Sequence, residues 1–169
     1  MGIVRCDANG GEFCLKTTDR ESTYFGPKAL LGLDCLQAGR TFVISAQIKL
    51  MDSNWQPASC DKLAGRHSLC PIFTLHYTTA AGEEKWKYFS NQALPPWDRN
   101  IYNDFLAKFV VSDELASATE AFFYFERVAP EVSILLDNVS IKELITEADT
   151  DYQLMTKDTC EKVRLNCSF

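Results

Sequence analysis

"TFVISAQIKL", residues 41 to 50, alternates Phe42, Ile44, Ala46, Ile48 and Leu50 with Val43, Ser45, Gln47 and Lys49. A period of two marks a β-strand, because successive side chains leave a pleated backbone on opposite sides. One side of this strand is apolar throughout and the other is mixed, so the first belongs to a core and the second to a wetter face. The alternation returns in "PIFTLHYTT" (71 to 79), "FLAKFVV" (105 to 111) and "AFFYFER" (121 to 127). After residue 79 the segment "AAGEE" turns the chain into "KWKYFS", which reads as a hairpin. Turn residues punctuate the rest at Gly26-Pro27, Ala38-Gly39, Ala81-Gly82, Pro95-Pro96 and Ala129-Pro130. Helical periodicity is nearly absent, and this spacing of short strands predicts an all-β fold, an antiparallel β-sandwich.

The chain has 169 residues, 46% of them apolar, enough for one domain with a buried core and too few to argue for two. The alternation fades where "TEADTDY" begins at residue 146, so the expected division is a domain over 1–147 and a tail over 148–169. A net charge of −6 with no cluster of Lys or Arg argues against nucleic acid and against an anionic membrane as partners. No apolar run approaches the roughly 20 residues of a membrane span. The segment "MGIVRCDANGGEF" has neither a signal peptide's apolar core nor a myristoylation pattern, since Cys6 stands where Ser or Thr is required.

Seven cysteines are many for a cytosolic protein of this size, and none forms a CxxC pair, so an oxidising, extracellular home is expected. Cys60 and Cys70 bracket a polar loop and Cys160 and Cys167 a second short segment, each a candidate local disulfide. The odd count leaves at least one thiol outside any pair within the chain. Two Asn-x-Ser sequons begin at Asn138 and Asn166; the first falls inside an expected strand, where a glycan is hard to fit, and is discounted.

The order of motifs resembles the carbohydrate-binding modules of the galactose-binding-domain-like jelly-roll superfamily, of the type of families four, nine and twenty-two. "GEFCLKTTDRESTYFGPKALL" is similar to that group's strand followed by an Arg and an aromatic-x-Gly-Pro; "LQAGRTFVISAQIKL" to its Gly-x-Thr-Tyr-x-x-Ser-Ala-Trp strand; "FFYFER" to its Tyr-x-Glu-Gly strand; "SILLDNVSI" to its closing Asp-Asp/Asn-Val strand. The resemblance covers about residues 11 to 144 and implies a jelly roll of two packed sheets with a concave groove face. Tyr102, Phe105, Ala107 and Phe109 match the spacing of its Trp-x-x-Leu-x-Gly-x-Phe, which puts Tyr102 in a structural slot and leaves Trp97 as an extra ring. There are departures. Gln47 stands where the strand Trp is usual, and the opening Asn-x-x-Phe-Glu strand is missing before Gly11, while "RLNCSF" at the far end looks like its start in a following repeat.

Sugar recognition in water needs flat rings for the C–H face of a pyranose and charged or bidentate groups for its hydroxyls. The alternation sends Phe42, Ile44, Phe73, Leu75, Phe123 and Phe125 to the core and groups Gln47, Lys49, Thr74, His76, Tyr124 and Glu126 on the opposite face. The resemblance implies sugar contacts from Arg20 and Glu126, with a salt bridge that merely ties two strands as the alternative. It also implies a structural calcium ion with Asp137 among its ligands, against a simple hydrogen bond to the adjoining loop. His76 is either a hydroxyl donor or a solvated strand residue, and Trp55 and Trp97 either line the groove's rim or lie as lids on the core. Trp86 and Tyr88 share one face of their strand, and the sequence does not say which. Glu126 and Asp137 could be read as a glycosidase pair, but eleven residues and a hairpin separate them and no nucleophile elbow or HExxH is present. The expected function is therefore a secreted, non-catalytic module that binds a polysaccharide such as a β-linked glucan or xylan, beside an appended catalytic or repeat domain. A protein-binding or adhesive domain on the same fold is the alternative.

Overall fold

The computed structural model describes residues 2–8, 11–60, 70–91 and 97–144, with side chains from Cys14 onward. Among these residues nine strands form two antiparallel sheets. The first holds β1 (Gly2–Ala8), β2 (Gly11–Thr17), β9 (Ser133–Glu143), β4 (Thr41–Met51) and β7 (Asn103–Val110), in that spatial order. The second holds β3 (Lys28–Leu30), β8 (Glu120–Glu126), β5 (Ile72–Thr78) and β6 (Glu84–Ser90). This is the expected β-sandwich. A strand does precede Gly11, although the opening motif is absent from the sequence. The tail from residue 145, including Cys160, Cys167 and "RLNCSF", lies outside the described residues.

The alternation places the core as expected. Phe42, Ile44, Ile48 and Leu50 of β4 face Phe73 and Leu75 of β5 and Phe123 and Phe125 of β8, all nearly or fully buried in one cluster. Rings lock the two layers together. Phe105 of β7 meets Phe125 of β8 edge-on at 5.2 Å, and Phe109 of β7 meets Phe89 of β6 at 6.0 Å. Each such pair contributes about 0.5–1.5 kcal/mol beyond its buried area.

Two connections decide what shares a surface. β5 and β6 form the expected hairpin, in which Thr78 pairs with Glu84 and Gly82 turns at φ +81°. The link from β8 to β9 is not a hairpin, because β8 pairs with β3 and β5 whereas β9 pairs with β2 and β4. It is an arch that carries the chain from one sheet to the other. Alternation assigns a side chain to the inside or outside of its own sheet and says nothing about which sheet that is.

The segment 20–27 is pressed onto the end of β8. Pro27 O accepts from Phe125 N at 3.3 Å and Thr23 O from Arg127 N at 2.7 Å. At Gly26 a Cβ would sit 1.5 Å from the carbonyl oxygen of Phe125, which is backbone and cannot yield. The glycine of the aromatic-x-Gly-Pro motif is thus required by close approach. On the far side, the Asn91 side chain bridges β6 to the open edge of β7, donating to Asp104 O and accepting from Leu106 N, both at 2.9 Å. Disulfide Cys60–Cys70, expected from the sequence, closes its loop with Cα atoms 4.7 Å apart. Gly26→Ala should destabilise the domain by about 3 kcal/mol or more, the upper end of overpacking costs, as read from urea unfolding midpoints.

Candidate glycan-binding face

The outer face of the second sheet is built by register. Thr74 of β5 lies opposite Tyr124 of β8 on one side and Tyr88 of β6 on the other, and Lys28 extends that row. In the next row His76 lies between Phe122 and Trp86, with Leu30 beyond. Directly opposed residues sit within about 5.5 Å, so these side chains touch across the strands. The result is an aromatic surface with polar groups set into it. Trp86 is 44% exposed and Tyr88 55%, joined by Tyr24 (55%) from the segment above. The sequence left the side of Trp86 and Tyr88 open; the hairpin register decides it, by setting them against the outward His76 and Thr74.

His76 lies flat against Trp86, centroids 4.7 Å apart and planes 5° from parallel. Its Nε2 is buried, makes no hydrogen bond, and lies 3.9 Å from Glu84 Oε1. Tyr124 is half-buried, and burial first, then the nearby Glu126 carboxylate, pushes its hydroxyl up to about 12. It therefore remains a neutral donor and acceptor across the physiological range.

Glu126 is on this face but beneath its surface, only 1% exposed. Thr74 Oγ1, itself fully buried, donates to Glu126 Oε1 at 2.8 Å. Burial raises the carboxyl above the ordinary carboxylate range, partly offset by the Thr74 hydrogen bond and the neighbouring Arg127. The cation beside it is not the expected Arg20. Arg127 Nε lies 3.6 Å from Glu126 Oε1, and the guanidinium carbon is 4.9 Å from the Tyr24 ring and 5.4 Å from the Tyr88 ring. Arg127 holds φ +76°, a left-handed backbone that suits glycine and costs a residue with a Cβ about 1–2 kcal/mol. The related motif carries Gly at this position, so no propensity in the sequence marked Arg127 as part of the face.

Several expected site residues lie elsewhere. Arg20 is buried in the β8–β9 arch, where Nη1 donates to Phe25 O at 3.1 Å and Nη2 to the carbonyls of Val128 (3.0 Å), Val132 (2.9 Å) and Ala129. Its terminal nitrogens are bound to backbone carbonyls while Nε is buried without a partner, so it braces the arch beneath the face. Gln47 and Lys49 are on the outer face of the first sheet, as the β4 register with Asp137 and Leu135 requires, and do not share a surface with Thr74, His76, Tyr124 and Glu126. Trp55 also belongs to that side, in a turn organised by Asp52 Oδ1, with Lys16 Nζ 3.5 Å from its ring centroid. Trp97 packs against the core with its Nε1 buried, which is the lid arrangement.

Asp137 starts a bulge in β9, where Asn138 and Val139 oppose the single Ala46 of β4. Asn138 is therefore in a strand but exposed, at φ +49°, and donates to Gln47 Oε1 at 3.0 Å. Asp137 Oδ1 accepts from Asn138 N, and Oδ2 is buried without a partner. Among the described residues no group of three acidic, His or Cys side chains surrounds it. Glu126 and Asp137 face opposite outer surfaces of the sandwich, a geometry that excludes a cooperating carboxylate pair.

No protein-family model matches this sequence, and no curated protein matches it. Solved structures do. A CBM22 xylan-binding domain of Paenibacillus barcinonensis Xyn10C is 18% identical, over 85% of this chain and 80% of that one, with a TM-score of 0.60. The second such domain of the same protein is 20% identical over 84% and 85%, also at 0.60. The CBM22-1 and GH10 modules of Clostridium thermocellum Xyn10B, complexed with xylohexaose, match at 15% identity and 0.58 over 83% of this chain and 24% of that one. At these identities the likeness establishes the fold, a β-sandwich jelly roll.

The raised Glu126 carboxyl has a definite sign. A folded-state value above the unfolded one means stability is greatest below the unfolded value and falls as pH rises through the interval up to the folded value. Glu126→Gln should therefore match the wild type in stability near pH 4 and gain on it progressively above about pH 4.3 before levelling off, measured by chemical denaturation across pH.

Proposed function

We propose that this chain is a non-catalytic module that binds a β-linked polysaccharide, a xylan or glucan, across the outer face of the second sheet. The observation that carries the reading is the exposed row of Trp86 and Tyr88 on β6, with Tyr124 and His76 beside them on a rigid sheet. Residues two apart on a strand are about 6.8 Å apart, a spacing that lets neighbouring rings meet successive parts of one sugar chain. The rings supply the stacking surface, and Tyr124 supplies hydrogen bonds to hydroxyls. Two matched structures are named as xylan-binding domains, which supports the ligand class.

The role that follows is to keep an attached enzyme or wall protein on its substrate. A CBM22–GH10 pair among the matched structures supports such an attachment, and the Cys60–Cys70 disulfide supports an extracellular setting. Few rings and several solvent-exposed hydrogen bonds must offset the ordering of the bound chain, so affinity should be modest.

Calorimetric titration with a panel of soluble xylan, mixed-linkage glucan, laminarin and mannan tests the reading. Saturable binding to one polymer is expected, weakened about three- to tenfold by Trp86→Ala or Tyr88→Ala and unchanged by Trp55→Ala on the opposite sheet. Silence across the panel from folded protein would end the glycan reading.

A further inference from the structure

We propose that this face selects a glycan bearing a carboxylate, a uronic acid, and that Arg127 is the residue that reads it; the inference rests on the glycan reading of the face. The chain as a whole is acidic, at −6, yet the middle of this surface is cationic. Arg127 lies between Tyr24 and Tyr88, the rings on which a sugar would stack, and Lys28 Nζ sits 3.5 Å from the Phe122 ring centroid. Nε of Arg127 is buried without a hydrogen-bond partner among the described residues. Its contact with Glu126, at 3.6 Å through Nε alone, leaves both terminal nitrogens uncommitted. Two parallel N–H groups on a planar fork match a carboxylate bidentately, which a neutral hydroxyl cannot reproduce.

The acids near this surface do not cancel those cations. Glu126 is sealed under it and burial disfavours its charge. On the strands of the second sheet the exposed acids facing outward are Glu84 and Glu120, both paired with Thr78 at its other end, and Glu21 is exposed in the segment that carries Tyr24. The row of Thr78 is about 13 Å along β5 from Thr74, farther than the Debye length at physiological salt, so its charge is largely screened there. His76 is the remaining titratable group of the face, and it stands toward Glu84. The left-handed backbone of Arg127 gives a further reason. A conformation that glycine would occupy without strain is held here by a cation among rings, and strain of this kind concentrates where a side chain has work to perform.

The test is calorimetric titration with xylohexaose and with the same oligosaccharide carrying one glucuronic acid branch, on wild type, Arg127→Gly and Arg127→Gln. Glycine suits the backbone at this position, and thermal melts check folding in both variants. The expected result is a roughly tenfold preference of the wild type for the acidic oligosaccharide, lost in both variants while neutral binding remains. The preference should also shrink in about 0.5 M salt. Equal affinity of the wild type for the two, or a preference that survives Arg127→Gly, would overturn the inference and leave the glycan reading intact, since the neutral oligosaccharide still binds. Binding of neither would overturn the inference, and silence across the soluble panel as well would overturn the glycan reading with it.

Discussion

The fold of this chain turns on one buried guanidinium. Arg20 lies inside the arch that carries the chain from β8 in one sheet to β9 in the other, and it gathers carbonyls from residues 25, 128, 129 and 132. An arch of this kind leaves carbonyls without strand partners, and an unsatisfied buried carbonyl is costly. Arg20 satisfies several at once, at the expense of its own desolvation, which lowers its proton affinity. Because the same fork holds Phe25, it also fixes the segment that carries Tyr24. Arg127 follows from this, since its backbone N–H is bound to Thr23 of that segment. The aromatic face is therefore assembled from below, by a residue that never touches it.

What the sequence disclosed and what it concealed divide along a physical line. The in-out alternation of β4, β5, β7 and β8 was legible, and so was the β5–β6 hairpin, because both are local. The partition of strands between sheets was not, since a period of two is identical in either layer. Gln47 was grouped with Glu126 for that reason, although a whole sandwich separates them. The β8–β9 arch was read as a hairpin on the same grounds. Trp55 and Trp97 stood open because a loop ring takes its direction from tertiary contacts. Arg127 was invisible for a different cause: its importance lies in a backbone angle. Trp86 and Tyr88 were closer to legible, because the turn at Gly82 pins the register that sets them against His76 and Thr74.

The rings of this protein rarely present a bare face. Lys16 covers Trp55, Lys28 covers Phe122, His76 covers Trp86, and Arg127 lies near both Tyr24 and Tyr88. A cation over a ring is held by the ring's quadrupole at a strength of about 0.5–1 kcal/mol where exposed. Such a contact is weak enough to yield to a ligand and strong enough to orient the charge beforehand. Aromatic and ionic groups are thus combined at single positions, so a ligand stacking on Tyr24 or Tyr88 meets the Arg127 cation there.

The side chain of Asn91 bears on a hazard that every open sheet faces. β7 is an edge strand, and its outward amides offer a template on which a strand of another molecule could add. Asn91 occupies two of those groups with the donor and acceptor of its own amide, in the manner of one residue of a tenth strand. The seam between the two sheets is closed there without lengthening either. Any domain held at high local concentration has particular need of such a stopper, because that is the condition under which exposed edges recruit one another into aggregates.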